Sequence, residues 1–104
     1  RFDGVLGVLG GLEVVRALDD AGVRTRRPIV LVNWTNEEGT RFAPAMLASG
    51  VFAGVHTLDY AYGRTDAQGR SFGEELARIG WAGDEEVGGR PIHALFELHI
   101  EQGP

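Results

Sequence analysis

Four consecutive apolar residues, Ile29-Val30-Leu31-Val32, three of them β-branched, stand directly behind Pro28. A half-exposed strand would alternate apolar with polar side chains, so an unbroken run predicts a strand covered on both faces, in a parallel or mixed sheet. Covering both faces takes helices, and the sequence supplies them. Residues 5–18 place Val5, Val8, Leu9, Leu12, Val15 and Leu18 at helical spacing, with Glu13, Arg16 and Asp20 opposite and Gly22 as the stop. Gly7, Gly10 and Gly11 fall inside this helix, where each costs roughly 1 kcal/mol relative to Ala. Close approach to a sheet or a neighbouring backbone is the expected compensation. Residues 44–49 predict a short helix with Pro44 in its first turn and Gly50 as its stop, and 51–70 a loop with turns near Gly63 and Gly69. Ser71-Phe72-Gly73-Glu74 has capping-box spacing and predicts a helix over 72–79 that ends at Gly80. An acidic loop, 83–89, leads to 92–101, where Ile92, Ala94, Phe96, Leu98 and Ile100 alternate with His93, Leu95, Glu97, His99 and Glu101, as in a second strand. Helix, strand, helix, helix, strand is an α/β order.

A length of 104 residues allows one domain at most. The ten positive charges are all arginine and dispersed, and the net charge is −5, so binding to a nucleic-acid backbone, which needs clustered cations, is not expected. With no cysteine in the chain, disulfides, thiol nucleophiles and thiolate metal sites are excluded, and a cytoplasmic setting fits. His, Asp and Glu remain as the strong metal ligands. No apolar run approaches the roughly 18 residues of a membrane span, so no membrane association is expected.

Glu37-Glu38 lies just beyond the carboxyl end of the first predicted strand, where ligands gather in open α/β sheets. Adjacent carboxylates on extended backbone point in different directions, so one can bind a metal while its neighbour faces a substrate or a water; two solvated loop acids are the plain alternative. His99 sits between Glu97 and Glu101 on the polar face of the last predicted strand, an arrangement that suits a metal ligand and equally a hydrogen-bonded structural histidine. Asp3 precedes the first helix and reads by itself as an N-cap. His56 and His93 read as structural or surface residues.

Three segments together carry a more specific signal: Arg1-Phe2-Asp3-Gly4-Val5-Leu6-Gly7-Val8, Asn33-Trp34-Thr35-Asn36-Glu37-Glu38-Gly39-Thr40-Arg41-Phe42 and Phe96-Glu97-Leu98-His99-Ile100-Glu101-Gln102-Gly103-Pro104. In order and spacing they resemble successive motifs of the dinuclear-metal amidohydrolases that include N-carbamoyl-L-amino-acid hydrolases, allantoate amidohydrolases and β-ureidopropionases. The resemblance runs through the whole chain, including Ala43-Pro44-Ala45-Met46-Leu47.

The resemblance implies that Asp3 bridges two divalent metals (zinc, manganese, cobalt or nickel), that Glu38 binds one and His99 the other, and that Glu37 is the general acid/base. It implies a substrate contact for Gln102, and local structural roles for Asn36 and Arg41. The implied reaction is hydrolysis of a small carbamoyl or ureido substrate, and the implied fold is a zinc-exopeptidase-like catalytic domain. Related metallopeptidases or aminoacylases acting on peptide or acyl-amide bonds are an alternative. His99 argues against them, because exopeptidase relatives commonly carry an acidic residue at that ligand position. A non-catalytic α/β module that retains the motifs is another alternative. Residues 1–104 correspond to the central part of the family's catalytic domain. Both ends of that domain, with two further histidine ligands, and the domain through which the family forms homodimers are expected to lie outside the chain, leaving the fragment inactive alone.

Overall fold

The structure, a computed structural model, describes residues 3–100, and of Asp3 the backbone alone. The chain forms two compact units, one made of Arg1–Asn33 with Ile92–Pro104 and the other of Trp34–Pro91.

The first unit is built on helix α1, Asp3–Asp20. It ends as the sequence predicts: Gly22 adopts φ +65°, its N–H donates to the Asp19 carbonyl, and the Val23 N–H donates to the Leu18 carbonyl, both at 2.9 Å. This crossed pair of bonds satisfies carbonyls that a helix end leaves open. The internal glycines are explained by close approach. A Cβ on Gly7 would lie 3.3 Å from the Leu98 carbonyl oxygen, one on Gly10 would lie 2.9 Å from Leu98 Cδ2, and one on Gly11 would collide with Leu31 Cδ2. The helix therefore comes close to both segments predicted as strands.

Neither segment is a strand among the described residues: 29–32 and 92–100 take part in no β-ladder, and the α/β sheet predicted from them is absent there. Strand structure is a property of a pair, because each ladder bond needs a neighbouring strand. Apolar pattern sets which face a strand would bury, but it does not provide the partner. Ile29, Val30, Leu31, Val32, Ile92, Leu98 and Phe96 are all exposed, Phe96 at 92%.

The second unit holds three short helices: α2, Leu47–Phe52; α3, Leu58–Tyr62; and α4, Phe72–Arg78. Helix α4 matches its predicted position within a residue. Its capping box is complete, with Ser71 Oγ accepting from the Glu74 N–H at 3.2 Å and Glu74 Oε2 accepting from the Ser71 N–H at 3.0 Å. Helix α2 corrects the prediction for 44–49: Pro44 lies upstream of the helix behind a cis Ala43-Pro44 peptide, Met46 in the left-handed region begins it, and Gly50 is interior rather than a stop. Helix α3 corrects the loop predicted over 51–70. Thr57 Oγ1 accepts from the Tyr60 N–H at 3.1 Å and caps it, and Gly63 follows as its C-cap. The predicted turn at Gly69 is present, closed by its N–H to the Asp66 carbonyl at 3.0 Å, and an antiparallel bridge between Thr65 and Ser71 flanks it.

The core of this unit is Phe42, Leu47, Ala61, Phe72 and Leu76, with Val51 and Tyr62 packed against it. Phe42 meets Phe72 edge to face at 5.3 Å between ring centroids. Two carboxylates are buried beside this apolar cluster, Asp66 and Glu75, with side chains 2% and 10% exposed. Both are fully engaged. Asp66 Oδ2 accepts from Arg41 Nε and Nη2 at 3.0 and 2.8 Å, while Oδ1 accepts from the Gln68 and Arg70 N–H groups at 3.0 and 2.9 Å. Glu75 accepts from Arg78 Nε and Nη2 at 2.9 and 3.0 Å, pairs with Arg41 Nη1 at 2.8 Å, and lies 3.6 Å from Arg70 Nη1.

These partners control ionisation. The Arg78 hydrogen bonds, aided by Arg41 and opposed by burial, hold the Glu75 carboxyl at about 2, below its ordinary 4.5. Burial pushes the Asp66 carboxyl up, but the hydrogen bonds from Arg41 and from the Arg70 and Gln68 N–H groups outweigh it, and the net direction is down.

Two stability predictions follow from this packing. Leu47 is fully buried, so Leu47→Ala should cost about 2–5 kcal/mol in denaturant unfolding, as side-chain truncation in a packed core does. A depressed carboxyl pKa gives stability that is complete above the unfolded-state value and is lost as pH falls through the folded-state value. Glu75 should therefore contribute fully above 4.5 and lose its contribution progressively as pH falls to about 2. Thermal unfolding of Glu75→Gln should show a lower midpoint than the parent at neutral pH, a shallower decline in this acid range and a gap that narrows toward its lower end.

Candidate functional site

The Glu37-Glu38 pair lies on the segment that enters the second unit. Trp34 anchors the start of this segment, its ring meeting Phe52 edge-on at 5.4 Å. Asn36 follows in the left-handed region, φ 55°, which asparagine tolerates better than most residues. Its Nδ2 donates to the Phe42 carbonyl at 2.7 Å and closes residues 36–42 into a loop. The Glu37 carbonyl accepts from the Met46 N–H at 2.6 Å, so residues 43–46 also return onto the pair. Gly39, at φ +67°, passes so close to the Pro44-Ala45 backbone that a Cβ there would collide with Ala45 N. Either feature alone selects glycine.

Arg41 and Phe42 fasten the far side of the loop. Phe42 enters the apolar core, and the Arg41 guanidinium spans Asp66 and Glu75. The expectation that Asn36 and Arg41 act in local structure agrees with these contacts. Glu37 and Glu38 themselves remain exposed, on backbone that is tied at several points. The loop thus presents two neighbouring carboxylates without burying them.

The other predicted site residues belong to the first unit or lie beyond the described residues. Asp3 is the first residue of α1, and its side chain lies outside the described residues, as does Gln102. His99 and its neighbour Glu97 are exposed, on a segment without regular secondary structure. His56 is half-buried and stacks on Tyr60 at 5.0 Å, and His93 is exposed, in keeping with structural and surface roles. Among the described residues no three His, Asp or Glu side chains form a cluster able to hold a metal. Taken singly, a carboxylate such as that of Glu38 and an imidazole such as that of His99 are donor types that suit a divalent cation, and no thiolate exists to favour a softer ion.

Sequence reasoning missed Asp66 and Glu75 as supports of the Glu37-Glu38 loop. Partial signals were present. Asp66-Ala67-Gln68-Gly69 has Asp first and Gly last, a type I turn pattern, and Glu75 precedes Arg78 by one helical turn. The link from Asp66 to Arg41, 25 residues away, has no local signature.

Comparison with known proteins agrees with the motif reading. The chain is 73% identical over its full 104 residues to an N-carbamoyl-L-amino-acid amidohydrolase of Rhizobium meliloti and spans 25% of that protein. It is 36% identical over 113 residues to a ureidoglycolate hydrolase of Arabidopsis thaliana, covering 100% of this chain and 24% of the relative. Its structure superposes on an amidase of the hydantoinase/carbamoylase family from Burkholderia multivorans with a TM-score of 0.91 at 68% identity, covering 98% of this chain and 25% of the other. The chain thus spans about a quarter of the length of the relatives it matches. A model of peptidase family M20/M25/M40 matches all of residues 1–104, and the chain belongs to that family.

Proposed function

We propose that this chain is the central part of the catalytic domain of a hydrolase that cleaves the carbamoyl C–N bond of a small ureido substrate, such as an N-carbamoyl-L-amino acid. The observation that carries this reading is the 73% identity, over the entire chain, to an N-carbamoyl-L-amino-acid amidohydrolase. The ureidoglycolate hydrolase relative also has a name that denotes a ureido compound, and supports the bond class over any single substrate. In the longer polypeptide, 29–32 and 92–101 are strands of a mixed, mostly parallel sheet whose ladder partners lie outside residues 1–104. The dimerisation domain lies outside as well, and the whole protein is a cytoplasmic homodimer; these assignments rest on the family resemblance.

The roles of the residues follow from their chemistry. Asp3, Glu38 and His99 would hold two divalent cations. When bound, the cations supply Lewis acidity at the carbonyl oxygen and lower the pKa of a nearby water. Glu37 removes a proton from the attacking water through a carboxylate oxygen and returns it to the departing amine nitrogen, one carboxyl group serving in both directions. Glu37 is exposed, and the tied backbone at Asn36 and Glu37 limits where its carboxylate travels. Gln102 contacts the substrate and helps to orient it. Addition of water across the C–N bond gives the free amino acid and carbamate, which decomposes to carbon dioxide and ammonia.

In the full-length enzyme, Glu37→Gln should abolish turnover of N-carbamoyl amino acids while metal content, read by elemental analysis, stays near the parent value. Metal loss in that variant would make Glu37 a ligand instead of the acid/base. Residues 1–104 alone, supplied with manganese, zinc or cobalt, should show no turnover. Appreciable activity of the isolated segment would mean that the ligands assigned outside it are dispensable.

A further inference from the structure

Between the Glu37-Glu38 loop and the core of its unit lies a relay of contacts that the proposed chemistry does not use. Arg41 directs Nε and Nη2 at Asp66 Oδ2 and Nη1 at Glu75 Oε2. Asp66 belongs to the turn before α4, and Glu75 to α4 itself. The guanidinium is therefore fixed in plane and direction by two separate elements. The next residue, Phe42, is buried, and its carbonyl is the acceptor for Asn36 Nδ2 at 2.7 Å. Asn36 immediately precedes Glu37. Whatever sets the Phe42 carbonyl also sets Asn36, and through it the backbone from which the Glu37 side chain departs.

We infer that Arg41, clamped between Asp66 and Glu75, is a positioning residue that fixes the Glu37 carboxylate for proton transfer. The inference rests on the acid/base reading of Glu37 given above. Glu37 is exposed, so its placement rests chiefly on the backbone beneath it. Proton transfer tolerates little error in placement, and misplacement by about 1 Å can cost on the order of a hundredfold in rate. Arginine suits the task because its planar fork binds both carboxylates in one geometry, whereas a lysine ammonium is a point charge that keeps the charge balance without the direction. Charge balance and geometry are thereby separable by experiment.

The test uses the full-length enzyme carrying Arg41→Lys, with Arg16→Gln as a control at an exposed site on α1. The Lys variant should keep its metal content and a thermal midpoint close to the parent, yet lose about tenfold to a hundredfold in kcat on N-carbamoyl amino acids, with KM changed by less than about threefold. A purely structural role would make kcat follow the folded fraction and recover it wherever stability recovers. Should the Lys variant precipitate, Asp66→Asn leaves the Arg41–Glu75 pair in place and should give the same split to a smaller degree. A kcat within about twofold of the parent in whichever variant folds, or a loss matched by a loss of folded protein, overturns the inference. Glu37→Gln run in parallel separates the two readings. Turnover retained by Glu37→Gln overturns the acid/base assignment and this inference with it; an inactive Glu37→Gln beside an unimpaired Lys variant overturns this inference alone.

Discussion

The guanidinium of Arg41 between two buried carboxylates is the interaction on which the second unit depends. Asp66 and Glu75 are placed where water is largely excluded, and a carboxylate there is tolerable only with paired charge and filled hydrogen-bond positions. Arg41, Arg78 and two backbone N–H groups supply both. The same contacts tie three separate pieces of chain together: the loop after Trp34, the turn at Asp66 and helix α4. An apolar contact at this junction would bury surface equally well, but apolar surfaces slide over one another, whereas a forked ion pair holds one register. Ion pairs of this kind often add little net stability compared with a well-packed apolar substitute. Their value here lies in direction, and direction is what a loop bearing two exposed glutamates lacks by itself.

How much of this was legible in the sequence depended on how far each signal reaches. Helices α1 and α4 were readable because their determinants are local: an apolar stripe with Gly22 at its end, and the reciprocal bonds of Ser71 and Glu74. Helix α3 has just five residues and one cap at Thr57, too short for periodicity to register. Helix α2 was misplaced because Pro44 and Gly50 were read by their usual positions, at a helix start and a helix end. In the fold Pro44 belongs to the loop that returns to Glu37, and Gly50 is interior, where a Cβ would press on His56. The strands at 29–32 and 92–101 were read from pattern alone, and pattern does not create a ladder.

The site was legible to a similar extent. Glu37-Glu38 stood out by its position after an apolar run and by its motif, and it does occupy a constrained loop. Asn36 and Arg41 were given structural roles, and the contacts specify them: one closes the loop, the other anchors it. Asp66 and Glu75 escaped notice because their significance comes from burial, which spacing does not encode. A carboxylate on a short helix reads as a solvated charge until the fold places an arginine from a distant loop against it.

The two units differ in how they hold the residues proposed for chemistry. In the second unit, the ties on the Glu37-Glu38 loop from Trp34 on Phe52 to Arg41 on Glu75 are made within that unit. The backbone that carries Glu37 is thus held by a core of its own. In the first unit, α1 and the segments at 29–32 and 92–100 leave Val5, Leu9, Leu12, Val30, Phe96 and Leu98 exposed. His99 projects from one of these segments, and Asp3 begins the helix that approaches it. Placement of these two proposed ligands therefore depends on whatever buries that surface, while placement of Glu37 does not. The Glu37-Glu38 loop is therefore specified by contacts among residues 34–78.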